Sequence, residues 1–300
     1  MRPSGNVGKW ELPRGNRSTP HLSRATRSCP QLPKRAILGA MSEAPGCQRF
    51  SVGSRLARVS PGLGESDMHV WSAGLDVTSA SLGQFEATLA PDEHERIGRL
   101  HAEVDRRRAI ASRGILRQIL AGYAEESAPE LRFAYSRAGK PELSGAADSR
   151  PVHFNTAHSG DLLLVAVGRV PSIGIDVERI RPIVRWERVA RRAFSVEERR
   201  EIEALPPEDR EEAFITCWTR KEACVKAIGE GVWSAFDRFE VSAAPGRPAE
   251  LRSVDGRRAL AAGWSLYHLK PEAGFVGALA VRDGGLRSWN GTIQPLEAQP

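Results

Sequence analysis

Gly174-Ile175-Asp176-Val177-Glu178, set behind Pro171, is the most informative stretch of the chain. Ile173 to Val177 reads as a strand. On a strand, residues two apart point the same way. Asp176 and Glu178 therefore stand side by side, and Val177 points into the core. Two adjacent like charges repel and cost stability unless a cation or a proton relieves them. Oxygen ligands with no His or Cys between them favour Mg²⁺ or Ca²⁺ over Zn²⁺. A strand end with solvated acids would account for the same residues.

On the N-terminal side, Leu162 to Val167 and Val152 to Phe154 read as strands flanking a polar turn, Asn155-Thr156-Ala157-His158-Ser159-Gly160. Gly139-Lys140-Pro141 is a second turn, and Leu131 to Tyr135 is a short strand. Pro91 to Glu126 reads as one helix. Pro91 suits its first turn, and Ile97, Leu100, Val104, Ile110, Ile115, Ile119 and Leu120 recur along it. Met68 to Val77 alternates as a strand. On the C-terminal side, Ser195 and Glu198 form a capping box for a helix near 196–204, which Pro206-Pro207 ends. Glu208 to Gly229 is a long helix stopped by Gly229 and Gly231. Strands follow at Phe236 to Val241, Trp264 to Leu269 and Phe275 to Val281. The class is α+β, in two halves at 68–168 and 169–283, with a loose tail over 284–300. No sequence repeat links the halves, and no G-x-G-x-x-G opens a helix.

The 300-residue chain has a formal charge of +6. Residues 1–67 hold 11 Lys/Arg against 4 Asp/Glu, so the remainder sums to −1. The basic balance belongs to this segment, and charge gives no support to nucleic-acid binding by the body. The segment carries 7 Pro, 8 Gly and 9 Ser with no sustained period, which predicts disorder. It lacks the apolar core of a secretory signal. An Arg- and Ser-rich start does resemble a transit peptide, and a start at Met41 or Met68 would leave the segment out of the natural protein. Four cysteines exclude a disulfide scaffold, and no apolar run approaches membrane-spanning length. A cytoplasmic protein with no membrane partner is expected.

Trp218-Thr219-Arg220-Lys221-Glu222-Ala223-Cys224-Val225-Lys226 lies on the long helix. Trp218, Glu222 and Lys226 fall four apart on one face. A Glu–Lys pair on a solvated face is the plain reading, but Trp218 on the same stripe argues that the face is partly covered. His158 in its turn, Lys140 between Gly and Pro, and Arg106-Arg107-Arg108 with Arg113 are each weak signals alone. Cys217 and Cys224 read as core residues.

Together these segments resemble the 4′-phosphopantetheinyl transferase superfamily, of the surfactin-synthetase-activating type. The resemblance rests on residues 174–178, on 218–226, on Phe154 to Ser159, on 139–141, and on Phe194-Ser195 with Glu198. It covers about 68–283. One departure is visible: the family usually has Ser before the His, and here stands Ala157.

The resemblance implies two similar halves related by pseudo-two-fold symmetry in a pseudo-dimeric monomer. It implies transfer of the phosphopantetheine arm of coenzyme A to a serine of an apo acyl or peptidyl carrier protein, releasing adenosine 3′,5′-bisphosphate. Asp176, Glu178 and Glu222 would hold Mg²⁺. Glu222 would also be the general base, and Lys226 would neutralise or protonate the leaving phosphate. Lys140, His158 and Arg113, with Arg108 and Ser159, would hold the coenzyme in the cleft between halves. Arg191 or Arg192 could meet an acidic carrier. A Mg²⁺-dependent nuclease would use similar carboxylates but would want a basic body. A degenerate, non-catalytic module is opposed by the intact Asp176, Glu178, Glu222 and Lys226.

Overall fold

The computed structural model describes residues 50–52, 62–65, 67–137, 139–144, 151–229, 235–282 and 290–298. Most of the N-terminal segment, expected to be disordered, lies outside the described residues.

The chain order begins with β1 (Phe50–Val52), β2 (Asp67–Gly74), α1 (Ser79–Glu86), α2 (Pro91–Gly98) and α3 (Glu103–Ala124). Next come β3 (Arg132–Tyr135), β4 (Pro141–Ser144), β5 (His153–Ser159), β6 (Leu162–Gly168) and β7 (Ile173–Arg179). Then follow α4 (Trp186–Ala193), α5 (Val196–Glu203), α6 (Arg210–Ile228), β8 (Phe239–Val241), β9 (Leu251–Val254) and a short α7 (Arg258–Ala261). β10 (Trp264–Leu269), β11 (Phe275–Arg282) and β12 (Asn290–Ala298) close the fold. Among the described residues, no helix is long and apolar enough to cross a membrane.

A five-stranded sheet has the order β1-β12-β2-β6-β5, and a three-stranded sheet has the order β10-β11-β7. Period two explains their stacking. In β6, Leu163, Val165 and Val167 join α3 residues Ile115, Ile119 and Leu120 in one core cluster. Leu162, Leu164 and Ala166 turn the other way, into a second cluster with Ile173, Ile175 and Val177 of β7 and Leu279 and Val281 of β11. The two sheets thus pack face to face. β7 sends its apolar residues inward, which directs Gly174, Asp176 and Glu178 to the opposite face, where α6 lies. A Cβ at Gly174 would collide with the main chain of Ala223 and Ala227, so this close strand–helix approach requires glycine.

Several expectations need correction. The helix over 91–126 is two helices, because Ala102 is extended (φ −84°, ψ 133°). Arg106 donates to the carbonyls of Leu100 and His101, which stabilises that break. The polar turn 155–160 is strand up to Ser159. Only Gly160, at φ 57°, and Asp161 turn the chain. Its polar side chains have distant partners: Asn155 Oδ1 accepts the Ile175 amide at 2.9 Å. α1 and α4 were not anticipated. α1 starts at Thr78, whose hydroxyl oxygen accepts the Ser81 amide. Phe236–Arg238 forms a 3₁₀ turn before β8. The tail expected to be loose contains β12, which runs parallel to both β1 and β2. Unpaired main-chain groups on a sheet edge recruit such a segment whatever its composition.

Candidate active site

The Gly174 contact brings the acidic face of β7 onto the last turns of α6. Asp176, Glu178 and Glu222 are all buried, and each offers a carboxylate oxygen within 4.8 Å of the others. Lys226 Nζ donates to Asp176 Oδ1 at 2.7 Å and to the Ile175 carbonyl at 3.1 Å. It lies 3.8 Å from Glu222 Oε2, so the distant Asp176, not the i,i+4 partner, is its close contact. Ser159 Oγ donates to Glu178 Oε2 at 2.8 Å and accepts the Arg179 amide at 3.1 Å.

Three buried carboxylates thus converge at one place beside the Lys226 ammonium. Like charges at this range in a poorly solvated site repel one another and create demand for a cation. The donors are all hard oxygens, with no imidazole or thiolate among them. That donor set fits Mg²⁺ and does not favour Zn²⁺.

The site is held by the rest of α6. Trp218 is buried between Phe214 and Phe236, with ring centroids 6.3 Å and 4.7 Å away. It packs the helix. Lys221 Nζ donates to both oxygens of Glu198, at 3.0 and 2.8 Å, and to the Phe239 carbonyl at 2.6 Å. Glu198 also accepts the amides of Ser195 and Val241. The capping box therefore belongs to a buried ion pair joining α5, α6 and β8. The cap is legible in the sequence and the pair is not, since Glu198 and Lys221 are 23 residues apart. Arg220 is buried on the Ser242 carbonyl and hydroxyl, and burial lowers its pKa to about 10. Cys217 and Cys224 are buried thiols, and burial pushes Cys224 up to about 12, keeping it neutral.

The other expected site residues have partners of their own. Lys140 Nζ donates to the carbonyls of Ile173 at 2.9 Å and Lys226 at 3.2 Å, and burial lowers its pKa. It bridges the β3–β4 turn to β7 and the C-terminal end of α6, which Gly229 closes at φ 70°. Arg113 pairs with buried Glu93, donates to the Tyr135 hydroxyl at 2.6 Å and lies over the Phe133 ring. Arg117, which the sequence did not single out, also pairs with Glu93, at 2.7 Å. Arg108 Nε donates to Asp161 Oδ1 at 2.7 Å. His158 is exposed on β5.

Comparison with known proteins follows this division. Residues 172–280 match the model described as 4′-phosphopantetheinyl transferase superfamily, and residues 76–169 match that described as 4′-phosphopantetheinyl transferase, N-terminal. The chain is 36% identical to the 4′-phosphopantetheinyl transferase HetI of Nostoc sp. over 219 residues, 73% of this chain and 89% of the relative. It is 28% identical to the transferase Sfp of Bacillus subtilis over 53% of this chain and 68% of that one. With the transferase AcpT of Salmonella typhimurium it shares 39% identity over 39% of this chain and 58% of that one. These relatives make the protein an enzyme of the transferase class. The chain belongs to the 4′-phosphopantetheinyl transferase superfamily.

Proposed function

We propose that this enzyme moves the 4′-phosphopantetheine arm of coenzyme A onto a serine of an apo acyl or peptidyl carrier protein, with Mg²⁺, and releases adenosine 3′,5′-bisphosphate. The reading extends to the surfactin-synthetase-activating type and to a cytoplasmic setting. The observation that carries it is the convergence of Asp176, Glu178 and Glu222 within 4.8 Å beside Lys226.

The serine oxygen forms a bond to the pantetheine-side phosphorus, and the bond from that phosphorus to the bridging oxygen breaks. Glu222 receives the serine proton. Lys226 stands against the charge that develops on the departing bisphosphate. Mg²⁺ held by the three carboxylates would supply Lewis-acid neutralisation of the diphosphate. The coenzyme lies between the halves 68–168 and 169–283, which we take as related by pseudo-two-fold symmetry. Lys140, Arg113, Arg108 and His158 line its phosphate end. Arg191 and Arg192, both exposed on α4, face an acidic carrier.

The test is incubation of purified protein with an apo carrier, coenzyme A and Mg²⁺, read by intact mass. One serine should gain a phosphopantetheine-sized increment, and chelator should abolish the gain. No gain on any acyl or peptidyl carrier, with the protein folded, would end this reading.

A further inference from the structure

Ser159 sits at the last position of β5, on the edge of the five-stranded sheet, and touches Glu178 of β7 in the other sheet. A serine hydroxyl has one proton and two lone pairs. One lone pair takes the Arg179 amide, which fixes where the oxygen lies. The carboxylate of Glu178 is an acceptor, so the single proton goes to Oε2. Such a bond to an ionised acceptor is among the stronger kinds.

The base on which Ser159 stands is itself fixed. Gly160 and Asp161 make the turn, Asp161 is gripped by Arg108 from α3, and its carbonyl accepts the Leu75 amide at 2.7 Å. Asn155, on the same strand, receives the Ile175 amide of β7. The two sheets are therefore stitched at two points along β5 and β7, and one stitch ends on a carboxylate of the acidic cluster.

We propose that Ser159 is a positioning residue: from the first sheet it fixes the Glu178 carboxylate and so sets the affinity of the cluster for a divalent cation. This rests on the metal reading given above and replaces the coenzyme contact that resemblance implied for Ser159. Outer partners of metal-binding carboxylates change affinity by about 10- to 100-fold when removed.

The probe is Mn²⁺ alone, titrated into the full-length protein and followed by its electron paramagnetic resonance signal. Ser159→Ala should weaken Mn²⁺ binding by about tenfold. Ser159→Thr, which keeps the hydroxyl, should bind within about twofold of the parent. In turnover, S159A should need more Mg²⁺ and should regain its rate at high Mg²⁺, with the KM for coenzyme A unchanged. Equal Mn²⁺ affinity in S159A and parent would overturn the proposal. So would a raised KM for coenzyme A at unchanged metal affinity. If S159A fails to fold, loss of Mn²⁺ binding in folded S159T overturns it, and retention supports it. A parent that binds no Mn²⁺ removes the metal reading itself, an outcome distinct from the others because it appears before any variant is made.

Discussion

Lys221 and Glu222 are neighbours on α6, both buried, and each belongs to a cluster of acids and amines. The clusters differ in their balance. Lys221, among the described residues, pairs with one carboxylate, that of Glu198. All three ammonium protons have acceptors, and Glu198 takes two further amides. Around Glu222, among the described residues, three carboxylates gather beside the Lys226 ammonium. A balanced, satisfied network rigidifies what it joins. An unbalanced one stores a demand for positive charge, which the fold holds in place through the Gly174 approach and the Trp218 packing. A paired lysine and one of three converging acids thus stand on either side of a single peptide bond.

The largest expected effect lies on the scaffold side. Lys221→Met leaves the Glu198 charge buried without its cation and should lower stability by about 3–5 kcal/mol. Glu198→Leu should do comparable damage. The double variant E198L/K221M should lose less than the two single losses added together, because a buried pair replaced by apolar groups leaves no orphan charge. Urea unfolding of the four proteins measures this. Simple additivity would mean that Glu198 and Lys221 do not act as a unit.

The neighbouring residue should behave oppositely. Glu222→Gln should cut carrier modification by about 10³-fold. Its melting temperature without metal should equal or exceed the parent's, since one of three crowded negative charges is gone. Mg²⁺ at 100 times its dissociation constant should stabilise the parent by about 2.7 kcal/mol and E222Q hardly at all. An E222Q protein that unfolds as readily as K221M would erase the distinction between the two clusters.

The same contrast explains what could be read from the residues in order. β7 was legible because its alternation is local: Ile173, Ile175 and Val177 go to the core, and the acids follow on the other face. The cap at Ser195 and the stop at Gly229 were legible for the same reason. The convergence of Glu222 with Asp176 and Glu178 was reachable only through resemblance, since nothing local links helix and strand. Partners set by tertiary packing escaped. Lys226 looks like the mate of Glu222 four residues away, yet its close contact is Asp176, 50 residues away. Asn155 and Ser159 carry the chemistry of a turn and were read as one. Their hydrogen bonds instead go to β7, and β6 pairing keeps them extended. Arg113 pairs with Glu93, 20 residues earlier, a contact that no local pattern announces.

Lys226 gives the smallest and most discriminating effect, because its ammonium lies against both Asp176 and Glu222 of the acidic cluster. Lys226→Met makes the formal charge of the cluster one unit more negative, which should leave divalent-ion affinity unchanged or raise it. Transfer should nevertheless slow by about 10²-fold, in kcat more than in the KM for coenzyme A, if the ammonium acts on charge that appears only as the bond breaks. Lys226→Arg keeps the charge and should recover part of the rate, since electrostatic stabilisation does not require the cation to release a proton. Weaker metal binding in K226M would mean that Lys226 serves to hold Asp176 in place, as Lys221 holds Glu198. The two clusters would then share one role for their lysines, and the division by charge count would fail at that residue.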